Sequence, residues 1–304
     1  MRPTLRQLEY IVAVAEMGQV GLAADTLNVS QPSLSSQLLQ AEQELGATIF
    51  IRGRGGAKVT SEGENIVRRA RLILRDHEDL RASAKSGGLF HGRLRLGTLP
   101  SIGPYLLPEV VRRLHKNCPN FRLVVREENT RDLDQGLRNG RLDMIISTPE
   151  DHPSMNHTPL FEEEFLVATA LNYLQESQTE SLELSDLQGQ TFLTLGPKHR
   201  FSQMVAMLAS RAGGRVSDEY EGTSLDAIRL MAASGAGIAI LPQIYAMTEA
   251  RRTKDVLIRH LNDPDARRSI VLIQPHTAEP HADSSALAEV LLSAKRHLLM
   301  RPTG

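Results

Sequence analysis

The segment Ala23–Leu45, AADTLNVSQPSLSSQLLQAEQEL, constrains this chain more than any other. It reads as a short helix, a tight turn and a second helix with an unusual outer face. Ala23, Ala24 and Leu27 supply small and apolar side chains for close helix contact. Asn28-Val29 makes the turn, since Asn tolerates positive φ. Ser30 is a good N-cap, Pro32 fits the first helical turn, and Leu34, Leu38, Ala41 and Leu45 fall on one apolar stripe. Opposite that stripe lie Pro32, Ser33, Ser36, Gln40 and Gln43, short or amide side chains with almost no charge. One buried face and one narrow, hydrogen-bonding face are what a helix needs to enter the major groove and read base edges. A helical hairpin buried in an unrelated fold would not require cap, turn, spacing and polar outer face to agree.

Leu5–Gly46 resembles the N-terminal winged helix-turn-helix of the LysR-type transcriptional regulators. The resemblance rests on the run AAxxLxVSQPSLSxQ at Ala23–Gln37 and on LGATIFIR at Leu45–Arg52. It implies a DNA-binding face formed by Ser30, Gln31, Pro32, Ser33, Ser36 and Gln40. After Gly46 an apolar run, Thr48–Ile51, leads into a glycine-rich hairpin, Arg52–Lys58, followed by Val59-Thr60. Such a wing places Arg52, Arg54 and Lys58 against phosphates beside the recognition helix.

Thr60–Gly63 starts a long helix running to about Ser86. Ile66, Ala70, Ile73, His77, Leu80 and Ala84 alternate by four and three, a heptad seam that asks for a partner helix. In the family this linker helix pairs with its copy in a second subunit, so a dimer, and from it a tetramer, is expected. His77 is read as a packing residue. Lys85–Gly88 is a flexible hinge. The expected domains are therefore a winged helix-turn-helix at 1–60, a linker and dimerisation helix at 61–87, and an effector domain at 88–304.

From Arg93 short strands alternate with helices, which predicts an α/β domain with largely parallel sheets. Expected strands include Phe121–Glu127, Thr191–Leu195 and one near Tyr220. Two groups of elements divide near Phe165. The family's effector domain has that form, with two lobes similar to a type 2 periplasmic binding protein. Lobe I is expected at about 93–164 and 268–304, and lobe II at about 165–267.

In open α/β sheets, ligands bind beyond the carboxyl ends of strands, where helix N-termini offer free N–H groups. That rule selects Thr98, Pro100 and Ser101 after the first strand and Thr130 after the second. It also selects Lys198, His199 and Arg200 after Leu195, and Thr223 and Ser224 beyond Tyr220. Hydroxyls, backbone donors and three potential cations suit a small anion such as a carboxylate, with a neutral polar ligand as the alternative. Taken singly, each Ser or Thr also serves as a helix cap.

Leu96–Val111 and Thr223–Pro242 resemble, more narrowly, the peroxide-sensing OxyR branch of the same family. That resemblance places Ser101 and Thr130 at hydroxyl positions lining the branch's pocket. It puts Arg200 about where the peroxide-reactive cysteine would stand and Leu208 about where its resolving partner would. The chain has one cysteine, Cys118. A dithiol switch needs a second sulfur within bridging reach, so peroxide sensing through an internal disulfide is excluded. A small buried apolar role is expected for Cys118.

Composition bounds the rest. At 304 residues with 41% apolar content, two or three domains fit better than one. The formal net charge of −1 gives no electrostatic support to DNA binding, so the DNA reading rests on the motif. No apolar run reaches the roughly 20 residues a membrane span needs, and MRPTLRQLEY does not read as an export signal. A cytoplasmic protein is expected. There is no nucleophile elbow, P-loop, metal-ligand spacing or dinucleotide fingerprint, so neither an enzyme nor a cofactor is expected. A solute-binding or enzymatic α/β protein would leave residues 1–87 without a role. The expected partners are double-stranded operator DNA, a small effector, further copies of the chain and, for an activator, RNA polymerase. A redox-responsive regulator acting without a disulfide is the alternative reading.

Overall fold

The computed structural model describes residues 3–53, 55–83, 93–119, 121–171, 180–276 and 283–300. Arg54, Ala84 and the Lys85–Gly88 hinge, all singled out above, lie outside the described residues. Contacts divide the chain into two compact units, Met1–Arg93 with Gln135–Asp143, and Leu94–Asp134 with Met144–Gly304.

The first unit opens with α1 (Leu5–Met17), α2 (Val20–Thr26) and α3 (Gln31–Leu45). Thr4 and Gln7 form a reciprocal capping box at the start of α1, and Gly18 ends it with φ 65°. The α2–α3 turn has Asn28 in the left-handed region at φ 54°, the conformation that favours Asn or Gly. The Ser30 hydroxyl accepts the Ser33 N–H at 3.3 Å, capping α3 with Pro32 inside its first turn. Leu34, Leu38 and Ala41 are fully buried and pack with Ile11, Val14, Ala23 and Ala24. Leu45, expected on the same stripe, is 38% exposed because the helix ends there at Gly46.

An antiparallel hairpin follows, β1 (Phe50–Gly53) and β2 (Gly56–Val59), in the register Phe50↔Val59 to Gly53↔Gly56. Its inner end is fixed by the Ala57 N–H, which donates to the Gly18 carbonyl at 2.7 Å. The long helix α4 (Ser61–Ser83) then returns alongside α1. The expected seam divides in two. Val67 and Ala70 are buried in this unit's own core with Ile66 packed beside them, whereas Ile73 is 48% and Leu80 67% exposed. The first turns are consumed by that core, so only the later part of the stripe is left facing outward.

The chain continues with β3 (Arg93–Thr98), α5 (Gly103–Asn117), β4 (Arg122–Glu127), α6 (Thr130–Arg138) and β5 (Met144–Ser147), all in the second unit except Arg93 and the Gln135–Arg138 end of α6. Then come β6 (Asn156–Ala170), β7 (Ser181–Leu182), β8 (Thr191–Leu193), α7 (Arg200–Arg211) and β9 (Arg215–Val216). The chain continues through α8 (Leu225–Ala233), β10 (Ile238–Pro242), α9 (Gln243–Tyr245), a π turn at Ala246–Ala250 and α10 (Arg251–Thr253). It closes with β11 (Val256–Leu261), β12 (Arg267–Gln274) and α11 (Ser284–Met300). No strand forms near Tyr220. The strand expected there is the two-residue β9, a few residues earlier, and Tyr220 uses its hydroxyl to accept the Ser224 N–H at 3.1 Å.

The strands lie in the order β4-β3-β5-β12-β6-β10-β8-β9, with β11 also on β6 and β7 on β11. Pairing is mixed rather than largely parallel: β3–β5, β8–β10 and β8–β9 are parallel, whereas β5–β12, β12–β6, β6–β10 and β6–β11 are antiparallel. β6 belongs to both lobes. Its residues up to Glu164 pair with β12, and from Phe165 onward they pair with β10. Lobe II has its own core built on Phe165, Phe192, Val205, Leu225, Ile240 and Tyr245. In lobe I, Leu96, Met144, Ile145, Ile146, Leu106, Val110 and Leu291 are buried.

Candidate DNA-reading face and interlobe cleft

α3 holds its apolar stripe against the first unit's core, which turns Ser30, Gln31, Pro32, Ser33 and Ser36 outward, all exposed. Gln40 is half-buried and its amide donates to Glu44 at 3.2 Å. In the hairpin, Lys58 is exposed, but Arg52 is held in place by Glu42 of α3 at 3.1 Å. The other oxygen of Glu42 accepts the N–H groups of Ile49 and Phe50 at 2.8 and 3.0 Å. One carboxylate thus ties the recognition helix to the wing. A phosphate-contacting Arg52 would have to share its guanidinium with Glu42.

The second unit carries a cavity of about 500 Å³ between its lobes. Lobe I contributes Pro100, Glu127, Glu128, Asn129 and Asp132, and lobe II contributes Gly196, Pro197, Lys198, His199, Glu221 and Thr223. A second cavity of about 340 Å³ is lined by Thr130, Arg131, Asp134, Asp151, Lys198, Arg200 and Gln203, so Lys198 borders both. The strand ends bring these residues together for the reason the α/β rule gives. β3 and β4 in lobe I and β8 in lobe II all deliver their following loops to one side.

Of the ligand residues expected from sequence, Pro100, His199 and Thr223 line the larger cavity, and Thr130 and Arg200 the smaller. Thr98 and Ser101 are buried, and neither is among the lining residues. Ser224 serves as the N-cap of α8, accepting the Ala227 N–H at 3.2 Å. The three expected cations differ. Burial pulls His199 below the ordinary imidazole value, so it is neutral near pH 7. Arg200 lies 3.9 Å from Asp151 of lobe I. Lys198 is exposed.

The larger cavity is also lined by the carboxylates Glu127, Glu128, Asp132 and Glu221, which the strand-end rule does not select. Glu127 ends β4 and Glu128 follows it, set off from the apolar Leu123–Val125 by Arg126 and lying just before Thr130. Glu127 has its carboxyl raised above the ordinary value by partial desolvation.

The lobes also meet where the rings of Tyr105 and Tyr245 pack edge to face, with centroids 4.8 Å apart. Where β6 passes from one lobe to the other, Glu163 and Arg268 form a buried ion pair. Phe201, at the start of α7, packs edge-on against Phe165, and the Arg268 guanidinium lies over both rings at 5.6 and 5.8 Å. His152 joins Ser147 and Asp134 at 3.1 and 3.2 Å. Ser147 and His152 are completely buried, so this Ser–His–Asp arrangement pins the loop after β5 to α6 and offers no nucleophile to solvent. Cys118, expected to be buried, caps the C-terminus of α5 and is half-buried. Among the described residues no group of three or more His, Cys, Asp or Glu is placed to hold a metal, and no helix is long and apolar enough to cross a membrane.

Two family models match the chain, one described as bacterial regulatory helix-turn-helix protein, lysR family, over residues 5–64, and one as LysR substrate binding domain over residues 87–296. Relatives include a hydrogen peroxide-inducible genes activator of Haemophilus influenzae, 33% identical over 88% of this chain and 89% of that one. The DNA-binding transcriptional dual regulator OxyR of Escherichia coli K12 is 32% identical over 94% of both chains. Among solved structures, a full-length OxyR single-site variant from Pseudomonas aeruginosa superposes with a TM-score of 0.76 at 30% identity, covering 97% of this chain and 95% of that one. The similarity thus runs along nearly the whole chain, through both the helix-turn-helix domain and the α/β domain after it, and the chain belongs to the LysR family as an OxyR-like transcriptional regulator with an effector-binding domain.

Proposed function

We propose that this regulator binds operator DNA through α3 and the β1–β2 wing and is controlled by a small effector bound between its two lobes. The observation that carries the reading is the union, in one chain, of an outward polar α3 face with an open interlobe cavity of about 500 Å³. In this reading Gln31, Ser33 and Ser36 face base edges, Pro32 gives apolar contact, Arg52, Arg54 and Lys58 hold phosphates, and Ser30 and Gln40 complete the DNA-binding set. Pairing of α4 with a second copy doubles the readers, and assembly into a tetramer multiplies the contacts that a nearly neutral chain needs. An effector that prefers one interlobe angle shifts the population toward it, and the second unit is joined in sequence to α4, so the spacing of paired readers responds. Activation would add RNA polymerase as a partner. The family's DNA-directed role supports a cytoplasmic, non-enzymatic protein.

The test is selection of bound sequences from a random DNA pool by the full chain, followed by affinity measurement on the selected site. Ser33→Glu with Ser36→Glu is expected to abolish binding through repulsion by phosphates while circular dichroism stays unchanged. Unaltered affinity would remove α3 from the groove.

A second reading is favoured by the names of the relatives, which include hydrogen peroxide-inducible activators. With Cys118 the only cysteine, any peroxide response in this chain would proceed without an internal disulfide. A peroxide-dependent change in the operator footprint would support it, and identical footprints under peroxide and reductant would exclude it.

A further inference from the structure

We propose that the interlobe cleft selects a small zwitterion, holding its ammonium group on the Glu127, Glu128 and Glu221 side and its carboxylate on the Lys198 and Arg131 side. The inference rests on the effector reading above and names the class of ligand for that same cleft.

The larger cavity is bordered by four carboxylates, Glu127, Glu128, Asp132 and Glu221, against Lys198 and a neutral His199. None of the four has a cation partner among the described residues. Asp132 accepts from the Asn129 amide at 2.6 Å, and its backbone N–H donates to the Asn129 side-chain oxygen at 3.1 Å. The smaller cavity reverses the balance. Its two carboxylates are engaged, Asp134 with His152 and Asp151 with Thr148 and Arg200, which leaves Arg131 and Lys198 without a carboxylate among the described residues. Charges of both signs therefore border two adjacent cavities that share Lys198, and among the described residues they do not pair with each other.

Each end also carries an unsatisfied buried polar atom. On the acidic side, Oε2 of Glu128 is sealed from solvent with no hydrogen-bond partner, and on the basic side the hydroxyl oxygen of Thr130 is in the same state. Native proteins pair nearly all such atoms, and functional sites are a recognised place for exceptions. A bare anion would meet four carboxylates in the larger cavity, and a bare cation would leave Lys198 and Arg131 unmatched. Juxtaposing like charges is a strong bar to the wrong partner. A molecule with both charges satisfies the two ends at once. The volumes, about 500 and 340 Å³, suit an amino acid or a short peptide.

Isothermal titration of the full chain tests the inference. One panel holds the standard amino acids with β-alanine, 4-aminobutyrate and 5-aminopentanoate. Two others hold the matching carboxylates without the amine and the matching amines without the carboxylate. At least one zwitterion is expected to bind about tenfold or more tightly than both of its truncated counterparts, the loss set by one charge-assisted hydrogen bond. Glu128→Gln should weaken it about tenfold and remove its advantage over the plain carboxylate, and Lys198→Met should remove its advantage over the plain amine, with Lys198→Arg restoring it. Carboxylates or amines binding as well as zwitterions, or no binding from any panel at millimolar concentration, would overturn the proposal. The same preparations are assayed on the selected operator. Intact DNA binding with no zwitterion response fails the ligand class alone, whereas loss of specific DNA binding fails the regulator reading beneath it.

Discussion

The Arg268 guanidinium donates twice to one carboxylate oxygen of Glu163, at 2.6 and 2.8 Å, and neither side chain is more than 2% exposed. The pair lies in register across β12 and β6, and the second Glu163 oxygen accepts the Ile244 N–H at 3.2 Å. Removing either member strands a buried charge, so Arg268→Met is expected to cost about 3–5 kcal/mol in urea unfolding. Replacing both with Met should recover part of that loss, leaving mainly the orphaned Ile244 N–H. Equal stability of the single and double variants would show that the pair is not coupled.

Glu109 on α5 carries a pH-dependent contribution. Hydrogen bonds from Arg112, with further ones from Arg113, outweigh the opposing effect of burial and hold its carboxyl at about 2, against an ordinary 4.5. A depressed carboxylate stabilises the fold above its unfolded value, and that contribution disappears as pH falls from about 4.5 towards about 2. Because Arg112 is 59% exposed, screening reduces the gain to roughly 1–2 kcal/mol. Glu109→Gln should therefore lower the melting temperature at pH 7 and flatten its fall between about pH 5 and pH 3, measured by calorimetry.

Gly56 turns the wing at φ +109°, and a Cβ there would run into the Gly18 carbonyl oxygen that accepts the Ala57 N–H. Gly56→Ala is expected to cost about 1–3 kcal/mol and to weaken operator binding by displacing the wing. Its neighbour Gly55 has open space around its added Cβ, so Gly55→Ala should change stability by less than about 0.5 kcal/mol. Comparing the two melting curves isolates the wing anchor from a general loss of glycine.

Ile73 and Leu80 project from the later turns of α4. In the proposed pairing of two α4 helices they are the apolar contact, so Ile73→Asp with Leu80→Asp should shift the chain to monomer in sedimentation velocity at micromolar concentration. The same change should sharply reduce operator affinity, because a nearly neutral chain depends on paired readers. A dimer that survives would place the interface elsewhere.

Local rules carried the helix-turn-helix well. Asn28 at positive φ, the Ser30 cap and burial of Leu34, Leu38 and Ala41 all follow from residue type and spacing. The α/β alternation also survived, since apolar runs such as Met144–Ile146 and Ile238–Leu241 have room only inside a sheet. What sequence could not supply was pairing at long range. β6 reads as an ordinary run at Phe165–Thr169, but its neighbours β12 and β10 come from later parts of the chain, and they set the antiparallel pattern. The acidic wall of the cleft was hidden for a related reason. Glu127 and Glu128 look like solvated strand-end charges until Glu221, far along the chain, is brought to the same cavity.

The passage of β6 through both lobes has a mechanical meaning. The change of partner falls between adjacent residues, Glu164 on β12 and Phe165 on β10, with the Phe165 N–H held to the Ala266 carbonyl at 2.8 Å. No slack separates the two ladders, so sliding one lobe past the other would break backbone hydrogen bonds, while twisting about the shared strand would not. Motion between the lobes is thereby restricted to rotation about one strand, and β6 is the torsion bar on which they turn.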